Sequence, residues 1–266
     1  MFKAKVILDS LNEFNKKRLT TFELTYPRFI HSEFMTHRHF SRNAASSRAI
    51  PTNKLLSMIK NSPAMPVSWG ANQKGMAADK QVDDIKKASD EWLEARDSAV
   101  LHAEKMQELS LHKQVLNRIL EPFVWMTVIC SATEYGNFFA LRDHPDAQPE
   151  IQLLARMMKA SYFESIPTIR DWHIPYIQED EEHIDIEIKK KMGVARCARV
   201  SYLTHDGAKD INKDLELYDR LLSGSGHGHW SPFEHVAMAT KLNHSYYNFS
   251  NNSFENQPIW CGNFQG

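Results

Sequence analysis

The strongest periodic pattern in the sequence is a long amphipathic helix over residues 79–109. Its apolar residues, Trp92 and Ala103 among them, recur at helical spacing, and Asp, Glu and Lys fill the other positions. Because the charged face of such a helix is normally solvated, we expect its apolar face to pack on a core. The chain of 266 residues is long enough to build a sizeable core.

Strand patterns precede this helix. Residues 3–8 form a short apolar stretch, and Phe22, Leu24 and Tyr26 alternate with other residues so that they share one face. The segment 53–75 contains two prolines and two glycines, and we predict a loop there.

Further helices and a strand follow the long helix. Pro122 opens a mostly apolar segment, 122–141, which we predict as a buried helix because proline is tolerated in a first helical turn. The next helix, 147–162, is predicted to be capped by Asp146. The remaining predictions are a connector with one short helix and no second core over 166–191, a helix over 214–222 and a strand over 235–242. These patterns predict one α+β domain (α/β mixed) over residues 1–266, with a mostly antiparallel sheet and helices packed against it.

The composition argues against several kinds of partner. The sequence has 32 Lys and Arg against 33 Asp and Glu, so no overall positive charge attracts nucleic acid, and we expect no nucleic-acid partner. The longest apolar run, 123–130, is far shorter than the roughly 20 residues that span a bilayer, so no membrane partner is expected. Three cysteines, an odd number, favour a reducing compartment. Since the first residues also lack a signal-peptide pattern, we expect a cytoplasmic protein.

Residues 36–48 concentrate polar groups directly after a predicted strand. Hydroxyl, amide, imidazole and guanidinium side chains all occur in this short segment. An arginine offers a planar fork for a phosphate or a polarised carbonyl, and serine hydroxyls with backbone N–H groups can complete a phosphate site. Composition alone leaves a polar surface loop equally open.

A second polar segment, 229–235, contains two histidines, a serine and a glutamate. With His227 it could offer nitrogen and oxygen ligands to a metal, but it lacks the i,i+4 histidine pair of a zincin, and the chain has no CxxC. Local histidine clusters more often make hydrogen bonds, so we predict no metal site. Arg118 and Arg142, on either side of the apolar segment, could reach solvent or bind an anion. The sequence has no P-loop, GxGxxG or GxSxG motif.

Together these segments resemble the flavin-dependent thymidylate synthases. That family carries an Arg-His-Arg signature followed after seven residues by Ser, and here Thr36-His37-Arg38 precedes Ser46 by that spacing. Further similar segments are Arg118-Ile-Leu-Glu-Pro122, Asn137-Phe-Phe-Ala-Leu-Arg142, Ala147-Gln-Pro-Glu-Ile151, Ala198-Arg-Val-Ser-Tyr202 and Ser231-Pro-Phe-Glu-His235. The matching segments cover about half of the chain, and their agreement is more specific than any one of them.

The order of these segments differs from that of the family. There the equivalents of 198–202 and 231–235 precede the Arg-His-Arg segment, whereas here they follow it, so the chain resembles a circular permutation. Permutation is tolerated when the original termini lie close together and the new break falls in an exposed connection. The connector 166–191 would then join the old ends. The new break would lie between the strand ending near Leu242 and the one starting near Thr20.

Several positions depart from the family pattern. Thr36 stands where the signature has its first Arg, Ala44 where a Glu is usual, and Glu33 where Gln is frequent. Ser131 aligns with an Asn of a long helix, and Asp146 aligns with a His that contacts the flavin. These changes leave the substrate, co-substrate and product open.

The resemblance implies an enzyme that binds FAD and a dUMP-like nucleotide at the subunit interfaces of a homotetramer. Such an enzyme transfers a one-carbon unit from methylenetetrahydrofolate to C5 of the pyrimidine, giving dTMP, and NADPH reduces the flavin. Carried over by position, the catalytic residues are Arg142, Arg38 and His37, with Arg142 polarising the pyrimidine. The implied substrate-binding residues are Glu33, Ser46, Ser47, Arg48, Arg118 and Arg142. The implied flavin-binding residues are His37, Arg38, Ser41, Asn43, Asn137, Ser201, His229, Ser231 and Glu234.

Three alternatives stay open. A close variant could leave a hydroxymethyl group, depending on whether hydride or water meets the methylene intermediate, and its nucleotide could be dUMP or dCMP. A nucleotide-binding homologue could keep the fold without catalysis, which the missing Arg and Glu motivate. A metal-dependent hydrolase using the His229 region would show bound metal and chelator-sensitive activity.

Overall fold

A computed structural model describes residues 1–200, 210–223, 228–248 and 253–262. The strands in these ranges are β1 (Lys3–Leu11), β2 (Arg18–Pro27), β3 (Ser41–Ala44), β4 (Trp125–Ala132), β5 (Thr168–Ile169), β6 (Trp172–His173), β7 (Ala237–Asn248) and β8 (Ser253–Gly262). The α-helices are α1 (His31–Met35), α2 (Thr52–Asn61), α3 (Ile85–Glu108), α4 (Lys113–Leu116), α5 (Gly136–Arg142), α6 (Pro149–Glu164), α7 (Ile186–Arg199) and α8 (Ile211–Ser223). Short 3-10 turns include Asn117–Phe123 and Ser231–His235.

The larger sheet has five strands in the order β3-β4-β2-β1-β5. Every neighbouring pair is antiparallel except β1 with β5, which is parallel. This arrangement confirms the predicted α+β class with a mostly antiparallel sheet. The predicted alternation in β2 is also confirmed, because Phe22, Leu24 and Tyr26 are all fully buried in one cluster.

The central strand β4 shows that the predicted buried helix over 122–141 is wrong. The chain there runs through the turn Asn117–Phe123 into β4 and then into the short helix α5. Both faces of β4 are covered: Val128 and Cys130 pack with residues of α5 and α6, whereas Ile129 packs with α7. A strand buried on both faces has no polar alternation, so its sequence resembles that of a buried helix.

Two predictions upstream need correction as well. The predicted loop 53–75 contains α2, because the first helix-breaking residue, Pro63, comes only after that helix has ended. The long helix α3 begins later than position 79. Its N-cap is Asp84, whose carboxylate accepts a hydrogen bond from the backbone N–H of Lys87 at 2.8 Å.

Downstream, the helix predicted over 147–162 is present as α6, but Asp146 does not cap it. The cap is Gln148, whose side chain accepts hydrogen bonds from the first turn of the helix. The helix predicted over 214–222 is confirmed as α8, and the strand predicted over 235–242 begins after a 3-10 turn, as β7.

A second, three-stranded sheet has the order β6-β7-β8 and is antiparallel. It corrects the expectation that 166–191 is a connector without a second core. That segment contains β5, β6 and the start of α7. The cluster that packs there consists of Ile174, Val194, Ala198, Leu221, Phe233 and Val236.

The larger sheet is covered on both faces. The core on one face lies between β2, β4, α5 and α6, and Cys197 and Val200 cover Ile129 on the other. The turn Ser231–His235 lies beside the edge strand β3, where Ser231 bonds to Asn43. Among the described residues, no helix is both long enough and apolar enough to cross a membrane.

Candidate functional site

A cleft of about 390 Å³ opens between the edge strand β3 and the turn Ser231–His235. Five residues predicted from the sequence line it, namely Asn43, Ser46, Arg48, His229 and Ser231. Asn43 and Ser231 are 188 positions apart in the chain. The fold therefore joins the two polar segments that the sequence singled out.

Asn43 holds the walls of the cleft together. Its side-chain N–H donates to the carbonyl oxygen of Cys197 at 2.7 Å, and its amide oxygen accepts from the Ser231 hydroxyl at 3.1 Å. Asn43 is buried, and these bonds join β3, α7 and the turn. They give Asn43 an architectural role within the described chain.

Ser46 and Arg48 face the cleft, whereas Ser47 faces away from it. The Ser47 hydroxyl donates to Glu121 Oε1 at 2.5 Å, and Asn117 Nδ2 donates to the Ser47 carbonyl at 2.7 Å. Arg48 is exposed and has no carboxylate partner among the described residues. Of these three side chains, Ser46 and Arg48 are therefore the ones available to a ligand in the cleft.

Arg118 does not line the cleft in the described part of the chain. It is half exposed and donates to Glu121 Oε1 at 2.8 Å. Arg28 approaches the same carboxylate at 3.1 Å. Although burial acts to raise the pKa of Glu121, its hydrogen bond from Ser47 and the charge of Arg28 lower it overall.

A second cluster forms around Arg142, at the end of α5. Arg142 Nε donates to His37 Nε2 at 2.9 Å, and Arg142 Nη2 donates to Thr36 Oγ1 at 3.2 Å. The His37 ring stands edge-on to Phe138, with ring centroids 4.8 Å apart. Burial, then the charges of Arg142 and Arg42, lower the pKa of His37 to about 4. His37 is thus a neutral acceptor that orients the guanidinium, with its own proton on Nδ1.

The other predicted residues occupy separate positions. Arg38, Asn137 and Glu234 are exposed, and Ser41 is half-buried at the start of β3. Glu33 accepts a hydrogen bond from the Ser32 hydroxyl at 2.9 Å. Ser201 lies outside the described residues. Within the described ranges the cleft lining includes none of the predicted catalytic residues, Arg142, Arg38 and His37.

The structure adds two residues that sequence reasoning missed. His112 and Gln114, at the start of α4, line the same cleft as His229 and Ser231 but come from a different part of the sequence. Gln114 N–H donates to His112 Nδ1 at 3.3 Å, so this short turn is held in place locally. No motif marks these positions, because they reach the cleft only through the packing of α3 and α4.

Two further observations concern the polar segment 229–235. The described residues contain no group of three His, Cys, Asp or Glu side chains that could hold a metal, and His227 lies outside them. His235 is fully buried, whereas Glu234 beside it is exposed, so the two point to different environments. A larger cavity, of about 500 Å³, lies at Trp172, Ile174 and Lys189 and contains none of the predicted site residues.

Comparison with solved structures gives the fold class. The crystal structure of a UMP/dUMP methylase, PolB from Streptomyces cacaoi, bound with 5-Br UMP is 14% identical. It matches with a TM-score of 0.50 over 62% of this chain and 89% of that one. The same methylase bound with 5-Br dUMP is 17% identical, with a TM-score of 0.46 over 57% of this chain and 69% of that one. The match to the 5-Br UMP complex shows that the architecture is that of an α+β protein of this methylase's fold.

The sequence itself then identifies the family. The family model described as thymidylate synthase complementing protein matches residues 18–168, which is more than half of the chain. The chain belongs to this family, and the resemblance inferred from its motifs is confirmed. The match ends before 198–202 and 231–235, so the permuted order stays a prediction. A search of curated protein sequences found no significant match.

Proposed function

We propose that this protein transfers a one-carbon unit to C5 of a deoxypyrimidine monophosphate, dUMP in the first instance, giving dTMP. The observation that carries the proposal is the cleft, where Ser46 and Arg48 meet His229 and Ser231 from a distant segment. Family membership supports the same reaction class.

Ser46 and Arg48 would bind the nucleotide phosphate. The Arg48 guanidinium is exposed at the cleft without a carboxylate partner among the described residues, so it is free to form a forked pair with phosphate oxygens. The volume of about 390 Å³ lies within the range of small-ligand sites, roughly 300–1,000 Å³. A nucleoside monophosphate is a ligand of suitable size and charge.

The cleft wall also offers groups that suit FAD. His229 and Ser231 line the cleft with polar atoms, and exposed Glu234 lies on the same turn. When bound, FAD would supply hydride-transfer chemistry next to the nucleotide, with NADPH and methylenetetrahydrofolate as co-substrates. The contribution of the protein is then to orient the pyrimidine and exclude water.

Arg142 would polarise the pyrimidine carbonyl through its remaining N–H groups. The neutral His37 ring accepts from Arg142 Nε and so fixes the direction in which the other guanidinium nitrogens point. Because neither residue lines the cleft of the described chain, the proposal needs them from a second copy. A homotetramer with sites at subunit interfaces meets this requirement.

The permuted order is part of the same proposal. It requires the strand predicted to end near Leu242, which as β7 continues to Asn248, to lie close to the strand that starts near Thr20. In support, Asn12 Nδ2, in the turn before β2, donates to the carbonyl of Thr240 in β7 at 3.2 Å. In the unpermuted order, a short connection would therefore be enough to join these two strands.

The test is dUMP binding by isothermal titration calorimetry, followed by turnover with FAD, NADPH and methylenetetrahydrofolate and mass analysis of the product. Arg48→Ala should weaken dUMP binding about 10- to 100-fold, the size of a lost charge-assisted phosphate contact. The matched control is Arg156→Ala. This variant removes an exposed arginine of α6, which pairs with Asp143 after the end of α5. Wild-type affinity in Arg48→Ala would contradict the assignment of the phosphate site.

The products separate the alternatives. A product heavier than dTMP by one oxygen identifies the hydroxymethylating variant. Turnover on dCMP but not on dUMP identifies dCMP as the substrate. Tight dUMP binding without turnover on either nucleotide identifies a binding homologue, for which Thr36 and Ala44 are the responsible departures. Loss of all nucleotide binding contradicts the proposal.

A further inference from the structure

A chain of hydrogen bonds joins five buried polar side chains: Ser10, His173, Thr21, Ser131 and His235. Ser10 Oγ lies 2.8 Å from His173 Nδ1, and His173 Nε2 lies 2.7 Å from Thr21 Oγ1. Thr21 Oγ1 lies 2.5 Å from Ser131 Oγ, which lies 2.8 Å from His235 Nδ1. None of the five residues is more than 3% exposed. Such a chain buried in a core is costly unless its members are paired, so its geometry is tightly set.

The chain connects parts of the fold that are distant in sequence. Ser10, Thr21 and Ser131 belong to β1, β2 and β4 of the larger sheet, whereas His173 belongs to β6 of the second sheet. His235 is the last residue of the turn Ser231–His235, whose other end borders the cleft. The bonds therefore attach one wall of the cleft to the centre of the larger sheet.

This turn has an anchor at each end. At its start, the Ser231 hydroxyl donates to Asn43 on β3, and at its end His235 bonds to Ser131 on β4. Strands β3 and β4 are neighbours, so both anchors lie on one rigid surface. Pro232 between them restricts the backbone further.

The two rings also restrict one another. A neutral imidazole has one donor and one acceptor nitrogen, so the tautomer of each ring sets whether the neighbouring hydroxyl donates or accepts. His235 Nε2, at the end of the chain, is buried and has no partner among the described residues. Within the described chain, the ring therefore holds the turn through its Nδ1 side.

We propose that His235 is a positioning residue for the cleft, and that its bond to Ser131 keeps His229 and Ser231 facing Asn43 and Ser46. The proposal rests on the proposed function only for the choice of dUMP as ligand. The attachment itself is a property of the described fold.

The experiment compares His235→Asn with His235→Leu. An asparagine amide can replace Nδ1 as the partner of Ser131, whereas leucine fills a similar volume without a polar atom. The matched control is His102→Leu, at an exposed position of α3. Two readouts are taken: the dUMP dissociation constant, and backbone hydrogen exchange of the peptide covering 229–236 by mass spectrometry.

We expect His235→Leu to weaken dUMP binding about tenfold or more, the size of a lost buried hydrogen bond, and to accelerate exchange in 229–236. His235→Asn should stay within about threefold of wild type in both readouts, as should the His102→Leu control. Ser131→Ala should do at least as much damage as His235→Leu, because it removes the bond to Thr21 as well as the bond to His235. The double variant should be no worse than Ser131→Ala alone, because that substitution already removes the bond between the two residues.

Wild-type binding and wild-type exchange in His235→Leu would overturn the proposal, as would equal damage in His235→Asn and His235→Leu. If His235→Leu does not fold, Ser131→Ala decides the same question. If the wild-type protein does not bind dUMP, the proposed function fails, and the exchange of 229–236 still decides whether His235 holds the turn.

Discussion

Acid should destabilise this fold through two fully buried histidines, His173 and His235. Burial lowers the pKa of His235 to about 3, and burial together with the charges of His235 and Arg170 lowers the pKa of His173 to about 3. In the unfolded chain the pKa of each ring is about 6.5. As the pH falls below 6.5, the unfolded chain binds protons that the folded protein does not bind, so the free energy of unfolding decreases.

The size of the effect follows from these values. Between pH 7 and pH 5 the folded rings stay neutral, while each ring of the unfolded chain becomes almost fully protonated. Each ring then lowers the free energy of unfolding by about 2 kcal/mol, and the two together by about 4 kcal/mol. This is a large share of the roughly 5–15 kcal/mol that stabilises an ordinary domain.

The assay is urea unfolding followed by tryptophan fluorescence at pH 7 and at pH 5, in the wild type and in His235→Asn. The variant removes one buried ring while retaining a partner for Ser131, so it should lose about 2 kcal/mol less than the wild type over this interval. His31 and His37, whose pKa values burial also lowers to about 4, contribute equally to both proteins. Equal losses in the two proteins would refute the reasoning.

Two further predictions concern the packing around α7. Arg196 donates to the buried carboxylates of Glu181 at 2.6 Å and Asp214 at 2.9 Å. Arg196→Met should therefore cost about 3–5 kcal/mol in urea unfolding, because it removes the Arg196 charge from two buried carboxylates, of which Asp214 keeps its ion pair with Arg199. A Cβ atom on Gly193 would lie 2.4 Å from Ile174 Cγ2, so Gly193→Ala should cost about 1–3 kcal/mol, measured as a lower Tm.

Lys86 and Asp90, an exposed ion pair on α3, provide the control for both variants. Lys86→Met removes a similar side chain and should change the free energy of unfolding by less than about 1 kcal/mol. If Arg196→Met were equally mild, the buried charge cluster would not hold α7 and α8 together. If Gly193→Ala kept the wild-type Tm, Ile174 would have room to move.

The sequence predicted well those elements that have one buried face. Strand β2 alternates cleanly because Phe22, Leu24 and Tyr26 face a single core. Strand β4 was mistaken for a helix because its two faces contact different clusters, which removes the alternation. The segment 166–191 looks like a connector because its strand β6 has only two residues, too few for any periodic pattern.

For the site, the sequence predicted which polar side chains take part but not which of them face the cleft. Ser46 and Arg48 face the cleft, while Ser47 between them bonds to Glu121, an acceptor more than seventy residues away. His112 reaches the cleft only through tertiary packing, so no local pattern marks it. The residue types show which chemistry a segment can offer, whereas the direction of each side chain depends on contacts between distant segments.

The order of strands in the larger sheet has a consequence for how the chain folds. Strand β2 pairs with β4 from Thr20 to Pro27, although the paired residues are about a hundred positions apart in the chain. At a synthesis rate of about 5–20 residues per second, the β1–β2 hairpin waits roughly 5–20 s on the ribosome before β4 is made. During this time the edge of β2 that later pairs with β4 is unpaired, so it can pair with other strands instead. Long-range closure of this sheet, rather than formation of any helix, should therefore set the rate of folding.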